Sequence, residues 1–318
     1  MKLTKVAEKE AHDDGIWTCC WVPGTNSLLT GSVDESVKRW RVQSAGDSQE
    51  VIEEYKHDGH TLGCMSLDVS DHGYAASSSL DSMIRVWDVE DKTRSIAIFE
   101  SAPTETWAVA FGPSTEEGRH IATAGGTRNS VVIWKLGKTE IASELQVPPS
   151  TESRVSSRKE YFVMSTTYSP NYKFVASGSM DGTVSLWDVQ SGSFYGKCEG
   201  HFKPVRSIKF TPDSKFLLTA CDDMQVHLYD VATLTLVESF SGHESWALSV
   251  APHPTAETFA TSGADGHVRL WSLRTRSCVQ TLDNAHADQA WSLAWNSEGS
   301  QLASVGDDKK LNIYSFSG

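Results

Sequence analysis

Three things are missing from this chain, and each absence narrows what it can be. No run approaches the ~18 consecutive apolar residues that a membrane-crossing helix needs, and the opening stretch, MKLTKVAEKEAHDD, carries no apolar signal region. No membrane partner is expected. A basic stripe is also lacking. Against 41 Asp and Glu stand 28 Lys and Arg, a net charge of −13 at pH 7, whereas direct nucleic-acid binding needs clustered cations to meet the phosphates. The local basic group Arg154, Arg158 and Lys159 sits in a Ser-rich stretch and reads as a solvated loop. Cysteine is sparse: Cys19, Cys20, Cys64, Cys198, Cys221 and Cys278 form no C-x-x-C pair and no framework spacing. Reduced, mostly buried thiols are expected, in a protein of cytoplasm and nucleus. No phosphate loop or nucleophile elbow is visible, and His57 and His60, three apart, are too few for a metal site. No cofactor and no catalysis are expected.

What is present is a repeat. The stretch Gly178 to Asp188, GSMDGTVSLWD, has worn copies in which an acid precedes an aromatic by six residues: Asp34 and Trp40, Asp81 and Trp87, Asp181 and Trp187, Asp223 and Tyr229, Asp265 and Trp271, Asp308 and Tyr314. In a further copy Arg128 holds the acid's place before Trp134. The resulting period of 42 to 53 residues, with its Trp-Asp signature, is that of WD40 repeats, four strands to a blade. The expected fold is all-β, a single seven-bladed propeller spanning 1–318.

The repeat carries its own polar wiring. His12, His60, His201, His243 and His286 each follow Gly or Ala and stand 21 or 22 residues before the turn acid. A hydroxyl lies four before the acid at Thr30, Ser77, Ser177, Thr219, Thr261 and Ser304. The histidine is expected to bond both acid and hydroxyl, and the hydroxyl to bond the Trp ring nitrogen, so that buried polar groups satisfy one another. Ser or Thr, His and Asp together also resemble a nucleophile and its base, but five copies around one ring are scaffold. Two blades depart. The third has Ala124 at the hydroxyl position, neither the third nor the fourth has the histidine, and packing through Trp107, Phe111, Trp134 and Trp187 must hold them.

Only Ser-Phe-Ser-Gly follows Tyr314, which leaves the seventh blade a strand short and its edge open. Residues 1–10 are expected to supply that outer strand, with Leu3 and Val6 inward. The Pro- and Ser-rich stretch 148–160 is expected to be a mobile loop between blades three and four.

In a propeller, the residues three and five after each histidine and the residue before each turn acid project onto one rim of the central channel. Those offsets select Trp17, Met65, Leu80, Trp107, Phe162, Met164, Met180, Arg206, Asp222, Trp246, Leu248, Trp291 and Asp307, with Val33, Glu105, Thr127 and Ala264 among their counterparts. So many aromatic and Met side chains on one exposed rim exceed what solvation requires and mark an interaction surface, one adaptable to several short peptides. An isolated monomer is expected.

The strings AHDDGIWTCCW (11–21), AASSSLDSMIRVWDVE (75–90), PVRSIKFTPDSKFLLTACDD (204–223), GHESWALSV (242–250) and HADQAWSLAW (286–295) resemble the WD-repeat subunit shared by the superkiller (Ski) complex and the polymerase-associated factor (PAF) complex. The likeness runs through all seven blades and departs in 148–160 and blade three. It implies a non-catalytic adaptor whose partners are a tetratricopeptide scaffold and an RNA helicase that feed the cytoplasmic exosome in mRNA decay, or PAF subunits in transcription elongation. It also implies short motifs with a basic residue and an aromatic on the apolar face, Asp222 and Asp307 meeting the first and Trp17, Trp291 and Met65 the second. Two other readings exist. Trp271-Ser272-Leu273-Arg274 resembles the W-D-x-R element of cullin-ligase substrate receptors with Ser272 in the acid's place, and Trp107, Glu105 and Phe162 could cage a methylated lysine of a histone tail.

Overall fold

Residues two apart in a strand share a face, so the alternating stretches that precede each Trp or Tyr can bury one side against a neighbour. The computed structural model describes residues 1–45, 48–91, 95–101, 106–115, 118–125, 130–137, 140–148 and 162–318. Among these, 28 strands form seven four-stranded antiparallel sheets and there is no helix. The innermost strands are Ile16–Trp21, Cys64–Val69, Ala108–Thr115, Val163–Tyr168, Val205–Phe210, Ala247–Pro252 and Ala290–Trp295. Apolar clusters lie between successive sheets; Leu186 and Cys198 of blade four, for example, pack on Val205 and Ile208 of blade five. The chain is a seven-bladed β-propeller.

The turn in each motif copy explains its acid. After Asp34, Asp81, Asp181, Asp223, Asp265 and Asp308 the next residue adopts a positive φ: Glu35, Ser82, Gly182, Met224, Gly266 and Lys309. Each Asp carboxylate accepts the backbone N–H two residues on, from Ser36 at 3.1 Å to Lys310 at 3.2 Å, the Asx geometry that stabilises such turns. Gly182 is needed for a second reason, since a Cβ there would lie 2.5 Å from the carbonyl oxygen of His201 on the next blade.

Closure follows the expectation. The N-terminal strand Lys2–Glu10 pairs antiparallel with the C-terminal strand Lys310–Ser317, from Lys2 opposite Ser317 to Glu10 opposite Lys310, and completes blade seven. Leu3 is 1% exposed, inserted beside Leu270, Leu302 and Tyr314. The imperfect alternation has a cause: a bulge between Lys5 and Ala7 displaces Val6, which is half-buried against the core of blade one. From blade six, the Gln280 side chain accepts the N–H of Leu3 (2.7 Å) and donates to its carbonyl (2.9 Å). All but the first residue of the 148–160 stretch lie outside the described residues, as do Glu105, Thr127 and Arg128.

Candidate functional site

The buried wiring exists in five blades. His12 Nδ1 meets Asp34 at 2.9 Å and its Nε2 meets Thr30 at 2.7 Å, and Trp40 Nε1 donates to the same Thr30 hydroxyl at 2.8 Å. Blade six repeats this with His243, Asp265, Thr261 and Trp271. His60 joins Asp81 and Ser77, but Ser77 does not reach Trp87. That ring packs instead against His57, tilted, with centroids 4.6 Å apart. In blades five and seven the aromatic is a tyrosine. Tyr314 meets Ser304 at 3.2 Å, while the Tyr229 hydroxyl bonds His227, which stacks on His201 at 3.8 Å. Burial works against ionisation of Asp34 and Asp265, yet the hydrogen bonds from His12 and Ser36, and from His243 and Arg269, outweigh it and hold both carboxyls well below the usual carboxylate range. Burial lowers the pKa of His60 and His243, and that of His227 to about 4 with help from neighbouring His201.

Blade three corrects the sequence reading. Trp134 donates to Thr123 at 2.9 Å, so Thr123, and not Ala124, is the hydroxyl of that blade. Thr123 pairs with Val132 as Thr30 pairs with Lys38, each two residues before the Trp, and the acid-to-hydroxyl count therefore slips by one. In blade four Ser177 receives no histidine, and Trp187 Nε1 donates to the Gln146 carbonyl of the preceding blade at 3.3 Å. Trp134, Trp187 and Phe111 are core, whereas Trp107 belongs to the channel. The cluster His201, Cys221 and Asp223 has metal-like composition. Its histidine and acid already bond each other at 2.7 Å, as in four other blades, and the Cys221 thiol donates to the Lys203 carbonyl, so hydrogen bonding accounts for it.

The site lies where the innermost strands open. In six blades the pairing slips at the second strand residue, leaving Trp17, Met65, Met164, Arg206, Leu248 and Trp291 as bulged positions. A bulge re-aims its side chain, and these six, together with Trp107, line one end of a central cavity of about 560 Å³. Directly below them, small hydroxyls stitch blade to blade: Ser292 accepts from Cys19 N–H, Thr18 from Leu67 and Ser66 from Val109. The ring is thus set on a rigid collar. Trp17 and Trp291 stand 6.0 Å apart, and Trp17 Nε1 donates to Asp307 at 3.3 Å. Gly15 permits this approach, because a Cβ there would lie 2.5 Å from the Asp307 carboxylate. Burial raises the Asp307 pKa, and the nearby charges of Asp288 and Asp14 add to the rise.

Three rim assignments need correction. Met164 and Leu248 are 4% and 3% exposed; both line the central cavity but show almost none of their surface to solvent. Asp222, 4% exposed, is clamped by Arg206 through bonds of 2.8 and 2.7 Å and is not free to meet a partner's cation. Arg206 in turn lies over Trp246, 5.3 Å from its ring centre. Trp17, Met65, Trp107, Phe162, Arg206, Trp291 and Asp307 are half-buried, and Leu80, Met180 and Trp246 exposed. Trp107 and Phe162 pack edge to face at 5.2 Å.

Comparison with known proteins settles the family. Residues 3–41, 52–88, 153–188, 192–230, 234–272 and 276–315 match the WD domain, G-beta repeat family. The chain belongs to the WD40-repeat family. The first match takes in the N-terminal strand, so the sequence repeat is offset by one strand from the blade it helps to build, and none of the matches falls within 89–152, where blade three lacks its histidine. The WD40 chain is 35% identical over 319 residues to WD repeat-containing protein SL1-17 of Schistosoma mansoni, covering 99% of each. It is 41% identical over 218 residues to WD repeat-containing protein VIP3 of Arabidopsis thaliana, and 28% identical over 208 residues to meiotic recombination protein rec14 of Schizosaccharomyces pombe. These two matches cover 65% of this chain and just under two thirds of the relatives, 64% and 62%.

Proposed function

We propose that this WD40 protein is a non-catalytic adaptor that takes short partner motifs at the channel mouth, as a subunit of the Ski and PAF complexes in cytoplasm and nucleus. The observation that carries this reading is the bulged ring itself: three tryptophans, Met65 and Arg206 set on a hydroxyl-bonded collar, with one carboxylate, Asp307, left without a cationic partner among the described residues. Trp, Met and Arg are the side chains that dominate interface cores. A motif with a basic residue over Asp307 and an aromatic or aliphatic residue among Trp17, Trp291 and Met65 fits this chemistry. The resemblance to the Ski- and PAF-associated subunit rests on DDGIW, AASSSLD and GHESW; in the first of these Gly15 makes room for Asp307 and Trp17 bonds it.

The cullin-receptor reading draws less support. Ser272 is 2% exposed and its hydroxyl accepts the N–H of Thr275, so no acid presents itself there. Of the methyl-lysine reading, Trp107 and Phe162 do meet, edge to face at 5.2 Å, while Glu105 lies outside the described residues.

Affinity purification of the tagged chain with mass spectrometry tests the assignment. A tetratricopeptide scaffold and an RNA helicase, or PAF subunits, should co-purify with the wild type and be lost together from Trp17→Ala/Trp291→Ala. Recovery of neither set with the wild type refutes the Ski and PAF assignment.

A further inference from the structure

From the channel rim outward, four large apolar side chains stand in solvent on successive loop tips of blades four to six. Phe202 is 72% exposed, Met180 50%, Trp246 42% and Met224 40%. The loops that carry them adjoin. A Cβ on Gly182, two residues from Met180, would lie 2.9 Å from the Phe202 nitrogen; His201, beside Phe202, bonds Asp223, beside Met224; and Trp246 covers Arg206, which holds Asp222. Exposed carboxylates border them at Asp181, Glu199 and Glu244, with Lys203 the opposing charge.

We propose that this arc is a second docking surface, for a basic amphipathic helix of a partner protein. The inference goes beyond the channel-mouth reading, because Phe202 and Met224 are not channel residues, yet the arc is continuous with the mouth through Met180 and Trp246. Two features select a helix over an extended peptide. The side chains come from separate loop tips and not from one strand edge, whereas a helix satisfies its own backbone and needs only an apolar face to dock. Flexible methionines beside aromatics adapt to such a face, and the acidic border selects lysine and arginine on its flanks.

The test titrates the full chain with two labelled peptides of about 18 residues, five helical turns. One carries Leu on a single face and Lys elsewhere, and the other is its scramble with no apolar face. Fluorescence anisotropy should show the amphipathic peptide binding more tightly than the scramble. Phe202→Glu, Phe202→Ser and Met224→Glu should each weaken it by about tenfold or more, as loss of an interface anchor does, without changing the melting temperature. Trp17→Ala should bind it as the wild type does. Absence of binding, equal binding of the scramble, or unchanged affinity in the Phe202 and Met224 variants overturns the proposal. Loss in Trp17→Ala with retention in Phe202→Glu moves the helix to the channel mouth, which also overturns it and leaves the adaptor reading standing. Helix binding that survives while Trp17→Ala/Trp291→Ala keeps every co-purifying partner refutes docking at the mouth alone and leaves the arc standing.

Discussion

At the scale of single residues, the same side-chain types do two unrelated jobs. Trp40 and Trp271 are nearly fully buried and give their N–H groups to Thr30 and Thr261, so they hold blades together and carry no specificity. Thr261→Val should cost about 1–3 kcal/mol, because it strands both the His243 and the Trp271 nitrogens; chemical denaturation measures this. Trp17 and Trp291 stand at the mouth, and Trp17→Ala should cost about 2 kcal/mol or more in partner affinity with little loss of stability, which calorimetry would show. Acid sensitivity also belongs to this scale. The His227 pKa falls to about 4, below the ~6.5 of an unfolded chain, so the unfolded state binds the extra proton. Its contribution is whole above pH about 6.5 and is lost as the pH falls toward about 4. Melting temperatures across that range should drop, and His227→Asn should drop less. The histidines, acids and most hydroxyls were legible in sequence because their spacing is fixed by a turn. Thr123 was missed because the spacing slips in blade three. The Arg206 clamp on Asp222 was missed because residues 16 apart meet only across a hairpin.

At the scale of elements, the N-terminal strand decides whether the ring stays shut. Its need could be read from the incomplete last blade. Its fastening could not, since Gln280 lies 277 residues from Leu3 and a lone glutamine carries no pattern. Leu3→Ala should destabilise by about 2–5 kcal/mol through the cavity left beside Leu270 and Tyr314. Gln280→Ala should cost less, about 1–3 kcal/mol, from the two backbone groups left unpaired. Removal of residues 1–10 should lower the melting temperature more than either substitution, and an unchanged melt would contradict the closure. The bulges that aim the ring were equally invisible, because bulging depends on pairing and not on residue type, and the burial of Met164 and Leu248 depends on neighbours that no fixed offset reports.

For the whole molecule, the division is between a ring built by repetition and a face built by departures from it. The repeat supplies seven sheets and a collar, and among the residues it leaves free Leu80, Met180 and Trp246 are exposed while Asp307 is half-buried under Trp17. A net charge of −13 should speed association with basic partner segments, and the association rate should fall as salt rises. The central claim is that partners dock on the mouth ringed by Trp17, Met65 and Trp291. Photo-crosslinking tests it most directly, with a photoreactive residue placed singly at Leu80, beside that mouth and away from the blade four to six arc, and at Ser297 by the opposite one. Crosslinks to a co-purifying partner from Leu80 and none from Ser297 are the predicted result. Crosslinks from Ser297 alone would contradict it.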